Sequence, residues 1–151
     1  APTAPDTVRS ASGTAASTQP TAMTPIAPAD RLLGAYQSMY EEPAQLVLRD
    51  RAAWEAAWRR AGGGEGAPPA VDFARDAVVL VAMGTRPTGG YEARLDGVST
   101  DGAATIVHAT FVSPGPSCMT GQALSAPVAA ARIRRPAGEV RFVVRELRQD
   151  C

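Results

Sequence analysis

The sequence has no lysine and no asparagine, one histidine, two cysteines and only 5% aromatic residues. Each scarcity removes a class of function. Schiff-base catalysis needs a lysine amine, and a P-loop needs a lysine on the β/γ-phosphates, so neither can be built here. One His and two Cys cannot assemble a zinc site of the usual ligand count. No apolar run approaches the roughly 18–20 residues of a membrane-spanning helix. The 15 basic and 15 acidic side chains cancel, which removes the sequence-independent attraction to nucleic acid and anionic membrane that a basic chain carries. We therefore expect no nucleic-acid partner and no cofactor. All the cations are arginine, and alanine is abundant, a pattern that GC-rich coding bias explains without invoking function.

What is present divides the 151 residues in two. Residues 1–31 are mostly Ala, Pro, Thr and Ser, with Val8, Met23 and Ile26 the large apolar side chains of the first 30. Such a segment buries too little apolar surface to offset its ordering entropy and reads as a disordered tether. Its reach, about 30 Å for a flexible chain of this length, suits a link from an upstream signal peptide or lipoprotein anchor to a folded head. A flexible linker or cloning remnant would have the same composition. Residues 32–151 then form one domain. Export to the periplasm, cell surface or exterior, with or without a lipid anchor, is the expected localisation. The two cysteines agree with it. Cys118 lies in the turn-rich run Ser113–Gly121 and Cys151 ends the chain. A disulfide between them would pin the C-terminus and contribute roughly 3–4 kcal/mol by loop-closure entropy. Two free thiols are the alternative, and an oxidising compartment favours the bridge.

Within 32–151, the runs Ala35–Tyr40 and Gln45–Arg49, separated by Glu41–Pro43, read as a hairpin. Asp50 stands where an N-cap belongs, before a helix from Arg51 to Ala61. Trp54, Ala57, Trp58 and Ala61 share one face of it, and Gly62–Gly64 ends it. From Asp72 onward the pattern becomes strands. Ala77–Met83 is apolar on both faces, as a central strand covered on each side should be. Tyr91–Val98 and Ala103–Val112 form a hairpin around an Asp-Gly turn. Val128–Ile133 and Val140–Leu147 follow, joined by Arg134–Gly138 as a further hairpin. About seven strands and one helix describe a mostly antiparallel α+β domain, a barrel or sandwich with the helix packed on it.

Between two strands stands Gly84-Thr-Arg-Pro-Thr-Gly-Gly-Tyr91. Pro87 fixes one dihedral, and Gly89-Gly90 admit positive φ or close backbone approach, so the chain reverses sharply. Tyr91 opens the next strand with an amphipathic ring. The segment reads either as a tight connection whose Tyr caps the core or as a rigid loop that docks on a partner.

Together with Val71-Asp-Phe73, the Val/Ala strand, the Trp-bearing helix and the proline-led Ser125-Ala-Pro127, this motif resembles the PrcB-type C-terminal domain, named after a subunit of a bacterial surface protease complex. The resemblance spans roughly Gly34 to Leu147. After the proline the family usually carries a bulkier polar or aromatic stretch, where this chain has Val128-Ala-Ala-Ala131. The resemblance implies a non-catalytic accessory subunit whose partner is a protein, a protease or another envelope component. It would dock through Pro87, Thr88, Gly89, Gly90 and Tyr91. A similar Thr-Gly-Tyr loop occurs in chagasin-like cysteine-protease inhibitors, which makes stabilisation and inhibition of a protease two forms of one expectation. The alternative is an autonomous envelope domain that binds a small or carbohydrate ligand through Trp54, Trp58 or Tyr36.

An enzyme would need Cys118 beside His108, with Asp96 or Asp101 orienting the ring. His108 falls mid-strand on the face of Ile106, Thr110 and Val112, where a structural histidine is the simpler reading. Glu41-Glu42 is the one adjacent acidic pair, and Gly62–Gly66 follows a helix rather than a strand. No catalytic residue is expected. The arginines of the last strands, Arg132, Arg134, Arg135, Arg141, Arg145 and Arg148, suggest a basic edge suited to an acidic partner surface.

Overall fold

The structure is a computed structural model and describes residues 22–151. Eight strands form two four-stranded sheets. The first has the order β1-β5-β6-β8: Thr24–Pro25 (β1), Glu92–Asp101 (β5), Ala104–Pro114 (β6) and Val140–Gln149 (β8). The second has the order β2-β7-β4-β3: Arg31–Ala35 (β2), Val128–Arg134 (β7), Asp76–Ala82 (β4) and Ala44–Leu48 (β3). A 3₁₀ turn, Pro28–Asp30, precedes β2, and one helix, α1 (Arg51–Arg60), follows β3. Five of the strand pairs are antiparallel, and β6 with β8 is parallel. The result is an open sandwich and not a closed barrel.

The Val/Ala strand explains how three layers hold together. β4 lies between β7 and β3, so its alternating side chains enter two different cores. Ala77, Val79, Val81 and Met83, with Ala129, Ala131 and Ile133 of the neighbouring β7, face the other sheet and meet Ala93, Leu95, Val107 and Ala109. Val78, Leu80 and Ala82 face outward onto α1, with Tyr40, Leu48, Trp54, Ala57 and Ala61. The helix is set as its sequence requires. Asp50 Oδ1 accepts from Ala53 N at 2.8 Å as the N-cap. Gly62 at φ 79° leaves the helical conformation one residue beyond its C-cap Ala61. Trp54 is 1% exposed and donates from Nε1 to Pro69 O at 3.0 Å, with Trp58 packed edge-on at 5.6 Å. Truncating Trp54 to Ala would cost about 3–5 kcal/mol.

Three parts of the sequence reading change. Ala35–Tyr40 and Gln45–Arg49 are not a hairpin. β2 pairs with β7 and β3 with β4, at opposite edges of their sheet, and residues 36–43 cross the sheet end between them. Nor is Arg134–Gly138 a hairpin turn. β7 already has neighbours on both sides, so the chain crosses to the other sheet and β8 joins β6 in parallel. Residues 24–31, assigned by composition to the tether, take part in the fold. Thr24 and Pro25 pair with Val98 and Gly97, Ile26 is buried in the inter-sheet core, and Arg31 Nη1 reaches across to Leu95 O at 2.9 Å. Residues 1–21 of that tether lie outside the described residues. The β5–β6 hairpin forms as expected, with Gly102 at φ 62° in the turn.

Candidate functional site

Strand direction gathers three loops and the chain terminus at one end of the sandwich. Pairing of Ala35 with Val128, of Val128 with Ala82 and of Ala82 with Ala44 puts the β2–β3, β4–β5 and β6–β7 connections together. The parallel β6–β8 pair adds the C-terminus there, since Pro114 is level with Gln149. The Gly84–Tyr91 motif is the central loop of this end.

The loop is clasped on both sides. Toward the β6–β7 loop, Gly89 N donates to Gly121 O at 3.0 Å and Ser125 Oγ donates to Thr88 O at 2.7 Å. Arg86 and Ser125 exchange backbone bonds of 2.7 and 3.0 Å. Gly90 has φ 90°, and a Cβ there would meet Thr120 and Pro114 at 3.0–3.2 Å. Toward the β2–β3 loop, Thr85 N donates to Glu41 O at 3.0 Å, and Gly84, at φ 79°, passes against Glu41 O and Pro43. Gly84 and Gly90 are therefore required by conformation and close approach, whereas a Cβ at Gly89 would make only an ordinary contact with Gly121. Thr88 Oγ1 donates to Gly89 O at 2.9 Å. Pro87 and Gly90 are exposed, while Thr88, Gly89 and Tyr91 are half-buried. Tyr91 rests its ring against the inter-sheet core, 5.8 Å from the Arg86 guanidinium carbon. The site is a braced ledge whose Tyr91 phenol makes no hydrogen bond among the described residues.

The neighbouring loop is braced in turn by the Cys118–Cys151 disulfide, whose Cα atoms are 5.0 Å apart. Cys118 is thus bonded to Cys151 and is no partner for His108. His108 Nε2 lies 2.8 Å from Ser99 Oγ on the outward face of the first sheet, beside Thr110, whose Oγ1 donates to Asp96 Oδ2 at 2.6 Å. Of the aromatic ligand platform, Trp54 is in the core and Trp58 half-buried, whereas Tyr36 is 55% exposed. Among the described residues, no group of three or more His, Cys, Asp and Glu could hold a metal ion, and no helix is long and apolar enough to cross a membrane.

Sequence reasoning singled out Tyr36, as a ligand contact, and missed the other apolar residues around the ledge. Tyr36 and Met39 (62% exposed) lie on the β2–β3 loop, and Met119 and Leu124 (65%) lie on the β6–β7 loop. All four are large apolar side chains held in water at this end of the sandwich. The available signal was large apolar residues outside the strand runs, but loop proximity is invisible until the strands are ordered. Two clefts open at the other end. One of about 800 Å³ is lined by Asp30, Asp72, Arg75, Asp76, Arg132 and Arg134, and one of about 480 Å³ shares Asp30, Arg132 and Arg134 with it.

Residues 77–134 match the family model described as PrcB C-terminal. The matched stretch begins in β4 and ends with β7, so it holds both central strands of the second sheet, the motif loop and the loop carrying Cys118. No curated protein and no solved structure matches the chain.

Proposed function

We propose that this chain, a PrcB-type C-terminal domain over residues 77–134, is a non-catalytic exported module. It serves as the accessory subunit of a protease or another cell-envelope complex and docks through the ledge Pro87–Tyr91. One observation carries the reading: the motif loop is fixed from both sides, and its flanking loops hold Tyr36, Met39, Met119 and Leu124 in water. A preformed loop loses little entropy on association, and exposed apolar residues around it supply burial. The disulfide and the family match support an exported, protease-associated role. The small-ligand alternative loses Trp54 to the core.

The test is co-purification from the native envelope. Tyr91→Phe removes the hydroxyl and keeps the ring packing, while Leu124→Glu puts a charge on the rim without touching the core. Both are expected to fold as wild type by circular dichroism and to lose the partner. Recovery of the same partner at wild-type level by both variants would remove the ledge from the docking site. Titration of active proteases with the pure domain distinguishes an inhibitor from a stabilising subunit.

A further inference from the structure

The free edge of β8 carries an inference that does not depend on the ledge. Sheet edges invite pairing with other chains, and proteins blunt them with short strands, bulges, prolines or covering elements. The other edges here are blunted. β1 is two residues long and contains Pro25, β2 has a register break between Arg31 and Leu33, and β3 is five residues long. β8 differs. It runs ten residues, pairs with β6 throughout without a break, and contains no proline. Among the described residues no strand lies on its other side.

The hydrogen bonds show which main-chain groups are on offer. At one end of the ladder Thr105 N donates to Glu139 O, and at the other Gly115 N donates to Gln149 O. In a parallel ladder this means that the odd-numbered residues of β8 bond to β6. The N–H and C=O groups of Val140, Phe142, Val144, Glu146 and Arg148 therefore point outward along the edge.

The side chains define what would pair there. Phe142 and Val144 turn inward and pack against the inter-sheet core while still half-exposed at its margin. Arg141, Val143, Arg145 and Leu147 turn outward, basic alternating with apolar, and Val143 is 50% exposed. Arg141 is ion-paired with Glu139 and Asp101, whereas Arg145 has no carboxylate partner among the described residues. We propose that β8 accepts an extended segment of a partner polypeptide as a fifth strand. That segment carries apolar residues on the face toward Phe142 and Val144, and an acidic residue on the other face opposite Arg145. Main-chain bonds would supply the attachment and the side chains the choice of partner. A second copy of this chain fits poorly, because antiparallel pairing of the two edges about Val143 would set Arg141 of each copy against Arg145 of the other.

The test uses the full disulfide-bonded chain and a ten-residue peptide in which Val alternates with Glu and Thr, with Lys replacing Glu in the control peptide. The acidic peptide is expected to slow amide exchange at Val140, Phe142, Val144, Glu146 and Arg148, and to bind about tenfold more tightly than the Lys peptide. Glu146→Pro removes an outward N–H and leaves the β6 ladder intact, and its side chain is exposed. It should abolish the exchange protection. Arg145→Glu, which keeps the backbone and the Arg141 ion pairs unchanged, should invert the preference between peptides. No protection by the acidic peptide, or protection that survives Glu146→Pro, would overturn the proposal. So would equal binding of the two peptides, or a wild-type dimer in sedimentation that Glu146→Pro dissociates.

Discussion

Replacing both cysteines by serine tests what holds the C-terminal strand. β8 is attached by its ladder to β6, by the inward side chains Val140, Phe142 and Val144, and by the Cys118–Cys151 bond at its far end. The bonded residues are 33 positions apart. For a closed loop of that size the chain-entropy relation gives about 4 kcal/mol at 25 °C. Unfolding entropy near 2.1 cal/mol/K per residue over roughly 130 residues converts this to a fall in Tm of about 14 °C. The protein should still fold, since the two cores form without either sulfur. Calorimetry of Cys118→Ser/Cys151→Ser against wild type reads the magnitude. Amide exchange reads the location: loss of protection should start at the Gln149 end of β8 and in residues 115–125, and leave β4 and β7 unchanged. A fall in Tm under about 4 °C, or uniform loss of protection, would refute the view that the bridge clamps one edge strand and the loop beside it.

Two further outcomes follow from single residues. Gly84→Ala places a side chain at φ 79°, where its Cβ would lie 3.0 Å from Glu41 O and from Pro43 N and Cδ. These are atoms no rotamer change can move, so the cost should reach about 2 kcal/mol in chemical denaturation, and a loss under 0.5 kcal/mol would show that the β2–β3 loop yields freely. Tyr40 is buried against α1, which pushes its phenol above the ordinary 10.0, while the Arg60 guanidinium 4.6 Å over its ring pulls the other way. Its stabilising contribution is therefore complete below pH 10 and lost as pH rises through the raised value. Tyr40→Phe should flatten the alkaline limb of a stability–pH curve, and an unchanged limb would mean that Tyr40 is not its source.

Local signals were legible wherever the chain's own pattern decides the outcome. Asp50 and Gly62 bracket α1 because capping depends on residues within a turn of the helix end. Ala77–Met83 is apolar at every position, so a strand covered on both faces follows directly, and Gly102 gives the β5–β6 hairpin. Partner choice among strands is different, because it depends on edges and faces that no local window contains. Arg134–Gly138 has the residues of a hairpin turn, yet β7 is filled on both sides, and the chain had to cross to the other sheet.

The same division runs through the site. The motif was readable because positive φ and close backbone approach at Gly84 and Gly90 demand glycine; Gly89, read the same way, has neither. That Gly89 is bonded to Gly121, that Tyr91 leans on the core, and that Met39 and Leu124 flank it follow only from strands converging at one end. The absence of lysine and the balanced charge closed off chemistries from the outset. They could not show that the arginines part company, Arg132 pairing with Asp30 near the clefts while Arg141 and Arg145 line the free edge of β8. Net charge is a sum over the chain, whereas a binding surface depends on where the fold sets each term.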